Sequence, residues 1–258
     1  MKIVVLIKPV PDTYGDRVLD LETGLADRAA SETVLDEITE RAVETAIRHA
    51  ESAADVEVVV MSMAPADTQA TLRKALAMGA GSAVHVTDER LAGADMVRTA
   101  EVLAAALTRT GFDLVMTGNG STDGSGSVMP SMLAELLGLP AITRLETIEI
   151  TADAVQGTRA TDGGTMTVTA PLPAVVSISE RMPDPRFPAL KGIMGAKKKP
   201  FEVLSLDDLE VEVDETAAPR SIMTAVAARP PREAGEIITD EGDAGERIAA
   251  FLADRRLV

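Results

Sequence analysis

The chain has 258 residues and a formal net charge of −16, and 46 % of it is hydrophobic, enough to bury a sizeable core. So acidic a balance argues against nucleic acid and anionic membranes as partners. The absence of cysteine excludes disulfides, thiolate chemistry and cysteine-held metals.

In chain order, Lys2–Lys8 is a continuous β-branched run and predicts a buried parallel strand. It is too short for a signal peptide, and no apolar run is long enough to span a bilayer, so a cytoplasmic protein without direct membrane insertion is expected. Pro9-Val10-Pro11-Asp12-Thr13 breaks the strand, and a polar, acidic connection follows. Asp36–Ala50 predicts a helix with Ile38, Ala42, Val43, Ala46, Ile47 and Ala50 on one face. Val56–Met63 is a second strand, Thr68–Met78 a helix ended by Gly79, Ser82–Val86 a third strand, Gly93–Thr110 a long Ala/Leu-rich helix and Leu114–Thr117 a fourth strand. Strict alternation of this kind predicts an α/β fold with a doubly wound, mostly parallel sheet. Its ligand crevice belongs at the carboxyl ends of the strands.

The stretch after the fourth strand reads Gly118-Asn119-Gly120-Ser121-Thr122-Asp123-Gly124-Ser125-Gly126-Ser127, and Val128–Leu137 after it reads as a helix with Pro130 in its first turn and Gly138 at its end. Small residues between a strand and a helix N-terminus offer main-chain N–H groups and a positive dipole end, and a phosphate is their natural ligand. The four glycines permit close backbone approach, while Ser121, Thr122, Ser125 and Ser127 add hydroxyls. The Asp123 carboxylate would repel a phosphate, so it should point to a ribose or cap the turn. A solvated polar loop is the plainer alternative. The stretch is neither G-x-x-x-x-G-K-[ST] nor G-x-G-x-x-G, whose spacing it misses by one.

Past Pro140 the segments Ile142–Ile150, Ala154–Arg159, Thr165–Thr169 and Ala174–Ile178 are short and β-rich, with a hairpin turn at Asp162-Gly163-Gly164. They either extend the sheet or form an antiparallel layer. Glu180–Pro200 combines prolines, Phe187, Leu190 and a lysine cluster, and reads either as a solvated loop or as a docking loop. From Pro219 a long arm ends in a helical run, Ala244–Leu257, and is either disordered or wrapped on a partner. Catalytic equipment is scarce. His49 and His85 lack metal-ligand spacing, there is no G-x-S-x-G elbow, and the sole tyrosine, Tyr14, is not followed by a Tyr-x-x-x-Lys lysine. A nucleotide-type loop without such residues suggests a nucleotide held for structure, or a cofactor shared with a partner.

These motifs resemble one family over nearly the whole chain, the β subunits of electron transfer flavoproteins, in a style close to actinobacterial members. The carrying residues are Val4–Thr13, Ala75–Ala80, Ser121–Gly124, Leu172–Val176 and, most specifically, Pro185–Lys199. The resemblance implies a Rossmann-like, adenine nucleotide α-hydrolase-like α/β domain over residues 1–218, including a docking loop at 186–195. It implies that residues 219–258 form an extended arm wrapping an α subunit. It further implies a heterodimer with one FAD held mainly by the α subunit and a structural AMP held by this chain. Electrons would enter from acyl-CoA and related dehydrogenases of fatty acid β-oxidation and leave to a membrane quinone oxidoreductase. This chain would then be an electron carrier subunit without catalytic residues of its own.

Carried over by position, the cofactor contacts are Leu6, Asp36, Met63, Gly118, Asn119, Gly120, Ser121, Thr122, Asp123, Gly124, Ser125, Gly126 and Ser127. The partner-docking residues are Arg186, Phe187, Pro188, Ala189, Leu190, Lys191, Gly192, Ile193, Met194 and Gly195, with Leu190 as the anchor. Family loops often read Asp-Gly-x-Thr-Gly, and Ser125 and Ser127 depart from that pattern. Asp36 is also a natural helix N-cap, and Leu6 and Met63 are also natural core residues. Two rival readings remain at this stage: a bifurcating relative with a second FAD in place of AMP, and a free-standing adenine-nucleotide-binding module.

Overall fold

The computed structural model describes residues 1–15, 17–211, 221, 223–232, 234–235 and 237–258. The expected domain boundary between residues 218 and 219 lies outside the described residues. The chain divides into two units, Met1–Thr224 and Ala225–Val258.

In the first unit the strands β1 (Lys2–Leu6), β4 (Glu57–Met63), β5 (Ser82–Val86), β6 (Leu114–Gly118), β7 (Ala141–Leu145), β11 (Ala174–Ile178) and β12 (Phe201–Leu204) form one parallel sheet. Its order is β12-β5-β4-β1-β6-β11-β7. Side chains alternate across a strand, so β1 sends Ile3 and Val5 to one face and Val4 and Leu6 to the other. The first face packs on the helices α1 (Glu37–Ser52) and α2 (Gln69–Met78) through Ala42, Val43, Ala46, Leu72 and Leu76. The second packs on α3 (Met96–Thr110) and α4 (Met129–Leu137) through Ala100, Leu103, Leu107 and Leu133. Burial on both faces is why these strands read as unbroken apolar runs. The sheet is doubly wound, as the alternation predicts.

From β1 the chain moves outward through β4 and β5, then returns to place β6 on the other side of β1. The order therefore reverses between β1 and β6, and that switch point opens a crevice at the carboxyl ends of the two strands.

Four details refine the sequence reading. Pro9–Pro11 is not merely a break: it forms a short strand, β2, antiparallel to β3 (Thr33–Leu35). Proline is tolerated there because both prolines sit at the ends of an isolated two-stranded ribbon. The β-rich segments after Pro140 do both things expected of them as alternatives. β7 and β11 extend the parallel sheet, while β8 (Thr147–Ile150), β9 (Ala154–Thr161) and β10 (Gly164–Pro171) form a separate antiparallel sheet. Phe201–Leu204 was not anticipated as a strand, and it adds an edge beside β5. In the docking segment, Leu190–Ala196 is a short helix, α5.

The second unit carries α6 (Ala244–Asp254). Among the described residues no helix is long and apolar enough to cross a membrane.

Candidate functional site

The loop from Gly118 to Ser127 starts at the carboxyl end of β6 and lies over the switch point, where it is fastened to the segment that follows β1. Lys8 Nζ lies 2.7 Å from Asp123 Oδ1 and donates to Ser121 Oγ at 3.2 Å. Arg28, from the connection between β2 and β3, brings a second cation to 3.9 Å from Asp123 Oδ2. Burial by itself pushes the Asp123 carboxyl upward, but hydrogen bonds from Lys8 and Ser121 and the Lys8 charge outweigh it and hold the pKa below the ordinary carboxylate value. Asp123 also accepts from the Gly124 N–H at 2.6 Å. It therefore caps the turn, one of the two roles its charge allows, and its charge is met by two cations.

Asp36 is fully buried and completes the fastening. Its Oδ1 accepts from the N–H groups of Ile38 (3.0 Å) and Thr39 (3.3 Å), capping α1. Its Oδ2 accepts from the N–H (2.7 Å) and hydroxyl (2.9 Å) of Thr122. Both oxygens are thus engaged within the protein, and Asp36 holds the loop in place.

Inside the loop, Ser125 N–H donates to the Ser121 carbonyl at 2.9 Å, and Ser125 and Ser127 adopt the left-handed conformation with φ of 50° and 54°. A Cβ on Gly120 would lie 2.8 Å from Ser127 Oγ, so the loop passes close over itself here. No side chain caps α4; Pro130 contributes no N–H to its first turn, and the remaining N–H groups there have no side-chain cap. Leu6, 7 % exposed, and the partly buried Met63 end the neighbouring strands β1 and β4, with their side chains in the apolar core. The structure thus brings Leu6, Asp36, Met63 and residues 118–127 to one end of one sheet.

Lys8 and Arg28 were missed by sequence reasoning. The available signal was Asp123 itself: a carboxylate in a phosphate-type loop requires a cation, and Lys8 stands at the carboxyl end of the first expected strand.

Residues 186–195 form a different surface, beside α1 and α2. Arg186 is held rather than presented. Its guanidinium pairs with Glu44 (2.8 Å) and Glu51 (2.6 Å) of α1. The Glu44 side chain is only 2 % exposed, and although burial pushes its pKa up, hydrogen bonds from Arg186 and Arg48 bring it below the ordinary value. Arg41 of α1 grips the preceding residues through the Met182 carbonyl (2.5 Å) and Asp184 (2.6 Å). At the other end, a Cβ on Gly192 would lie 2.3 Å from the Ala77 carbonyl oxygen, so α5 sits directly on α2. Lys199 donates to the carbonyls of Leu76 (2.9 Å) and Ala80 (2.6 Å) at the end of α2. Held at both ends, the segment exposes Phe187 (96 %), Leu190 (73 %), Ile193 (50 %) and Met194 (66 %).

Among the described residues no group of three or more His, Asp or Glu is placed to hold a metal.

Residues 23–209 match the family model for the electron transfer flavoprotein domain. The chain is 46 % identical to the electron transfer flavoprotein subunit beta of Mycobacterium leprae over 263 aligned positions, which cover 99 % of each chain. It is 45 % identical to that of Mycobacterium bovis with the same coverage. It is 36 % identical to the electron transfer flavoprotein subunit beta of Thermoanaerobacterium thermosaccharolyticum over 262 positions, covering 100 % of each.

Proposed function

The chain belongs to the electron transfer flavoprotein family as a β subunit, and from that premise we propose that it holds an AMP at the switch point and helps an α subunit hold FAD. The flavin supplies the redox chemistry when bound. The contribution of this chain is to bind, to position and to dock. The observation that carries the reading is the fastened loop. Its carboxylates are already occupied, Asp36 by Thr122 and helix α1, and Asp123 by Lys8 and Arg28. What the loop leaves uncommitted is the exposed Ser127 hydroxyl and the uncapped first turn of α4, which suits a phosphate. In this reading Leu6 and Met63 line the site through their main chains, since their side chains pack in the core.

Electrons come from acyl-CoA and other dehydrogenases of fatty acid β-oxidation, which dock on the apolar segment at 187–194, and pass to a quinone oxidoreductase at the membrane. The chain itself is a cytoplasmic carrier subunit without catalytic residues. Its C-terminal arm, residues 219–258, wraps the α subunit.

A substitution that fills the loop separates nucleotide binding from the rest. Gly120→Val places side-chain atoms where Ser127 Oγ now lies. The purified heterodimer of this variant is expected to lose AMP, measured by chromatography of the acid-released nucleotide, while keeping most of its FAD. Undiminished AMP in that variant would place the nucleotide elsewhere.

A further inference from the structure

The sheet β8–β9–β10 ends in an edge that nothing described covers. Glu146 N–H donates to the Thr158 carbonyl (2.7 Å) and Thr151 N–H to the Ala154 carbonyl (2.9 Å), so alternate residues of β9 turn their main chain toward the β8 side. In an antiparallel strand the N–H and C=O of one residue point to the same side. Val155, Gly157 and Arg159 therefore face β10, where they oppose Ala170, Val168 and Met166. The main-chain groups of Thr165, Thr167 and Thr169 consequently point away from the sheet, and among the described residues they have no hydrogen-bond partner.

This edge lacks every usual protection. It is eight residues long, its register with β9 is unbroken, its only proline is the last residue, and it carries no charged side chain in a chain that is 26 % charged. The edges of the parallel sheet are blunter: β12 has four residues and carries Glu202, and β7 meets β11 with a shifted register. A long, uncharged, unbroken edge is a template for another strand.

We propose that β10 is an assembly edge, which takes an extended, mostly uncharged segment of the α subunit as a fourth strand. The inference rests on the reading of this chain as one of two unlike subunits. A second copy of the chain is the weaker occupant, because pairing two chains of net charge −16 sets like charges together.

The test is residue-resolved hydrogen exchange on the assembled αβ heterodimer. The amides of Thr165, Thr167 and Thr169 are expected to exchange as slowly as the inward amides of Met166 and Val168, and at least 100-fold faster in the isolated full-length chain. Thr167→Pro removes one outward N–H and leaves the bonds to β9 in place, and it is expected to speed dissociation of the two subunits at least tenfold, while Thr167→Val does not. A heterodimer that assembles with these three amides still exchanging freely would overturn the edge role and leave the subunit reading intact. Protection of the same amides in the isolated chain that vanishes on dilution would assign the edge to a second copy and equally overturn the proposal.

Discussion

Asp123 is the residue on which the order of the loop at 118–127 turns, because it converts two nearby cations into a tether. Lys8 and Arg28 reach it from segments more than 90 positions earlier in the chain, and against the upward push of burial the hydrogen bonds from Lys8 and Ser121 and the Lys8 charge hold its carboxyl below the ordinary pKa. A carboxylate with a depressed folded-state pKa adds stability above its unfolded pKa and loses it as the pH falls through the folded one. The thermal midpoint of the native protein should therefore exceed that of Asp123→Asn at neutral pH. The gap should begin to close below about pH 4, the ordinary carboxylate range, and vanish beneath the lowered folded-state value. A gap independent of pH from 7 to 3 would show that the tether is not ionic. Asp36 shows why residue roles are harder to read from sequence than elements. Its place at the start of α1 is legible from the helix pattern, but its grip on Thr122 joins residues 86 positions apart and has no local signature.

At the scale of elements, the exposed segment at 186–195 and the loop at 118–127 are built on opposite plans. The loop is drawn inward by side-chain bonds. The segment at 182–199 is held by Arg186 on α1 and by Gly192 against α2, and the side chains of Phe187, Leu190, Ile193 and Met194 stand out around these contacts. Leu190 is 73 % exposed and contributes little to this chain's own stability. Buried in a pocket of a partner, the same side chain is worth roughly 1.5–3 kcal/mol, which is about 10- to 150-fold in affinity. Leu190→Ala is accordingly expected to weaken electron transfer from a donor dehydrogenase by at least tenfold, with folding and flavin content unchanged. Equal transfer rates for the variant and the native heterodimer would remove the docking role.

The parallel strands other than β12 and the helices α1–α4 were legible because burial on both faces and on one helical stripe leaves periodic marks. β2, β12 and α5 were not. Two of them hold prolines or border on them, and all are short enough for long-range pairing to decide their form.

For the whole molecule, the doubly wound sheet places a phosphate-type loop at its switch point and an exposed apolar segment beside α1 and α2, both within the first unit. A strongly acidic chain binds nothing anionic without local compensation. Lys8 and Arg28 supply that compensation at the loop, and Lys191, Lys197 and Lys198 gather basic charge at the docking segment. The most direct measurement is a count of the nucleotides released by acid from the purified αβ heterodimer. The account predicts one FAD and one AMP per heterodimer, with the AMP lost on Gly120→Val; two FAD and no AMP, or no adenine nucleotide beyond the single FAD, would contradict it.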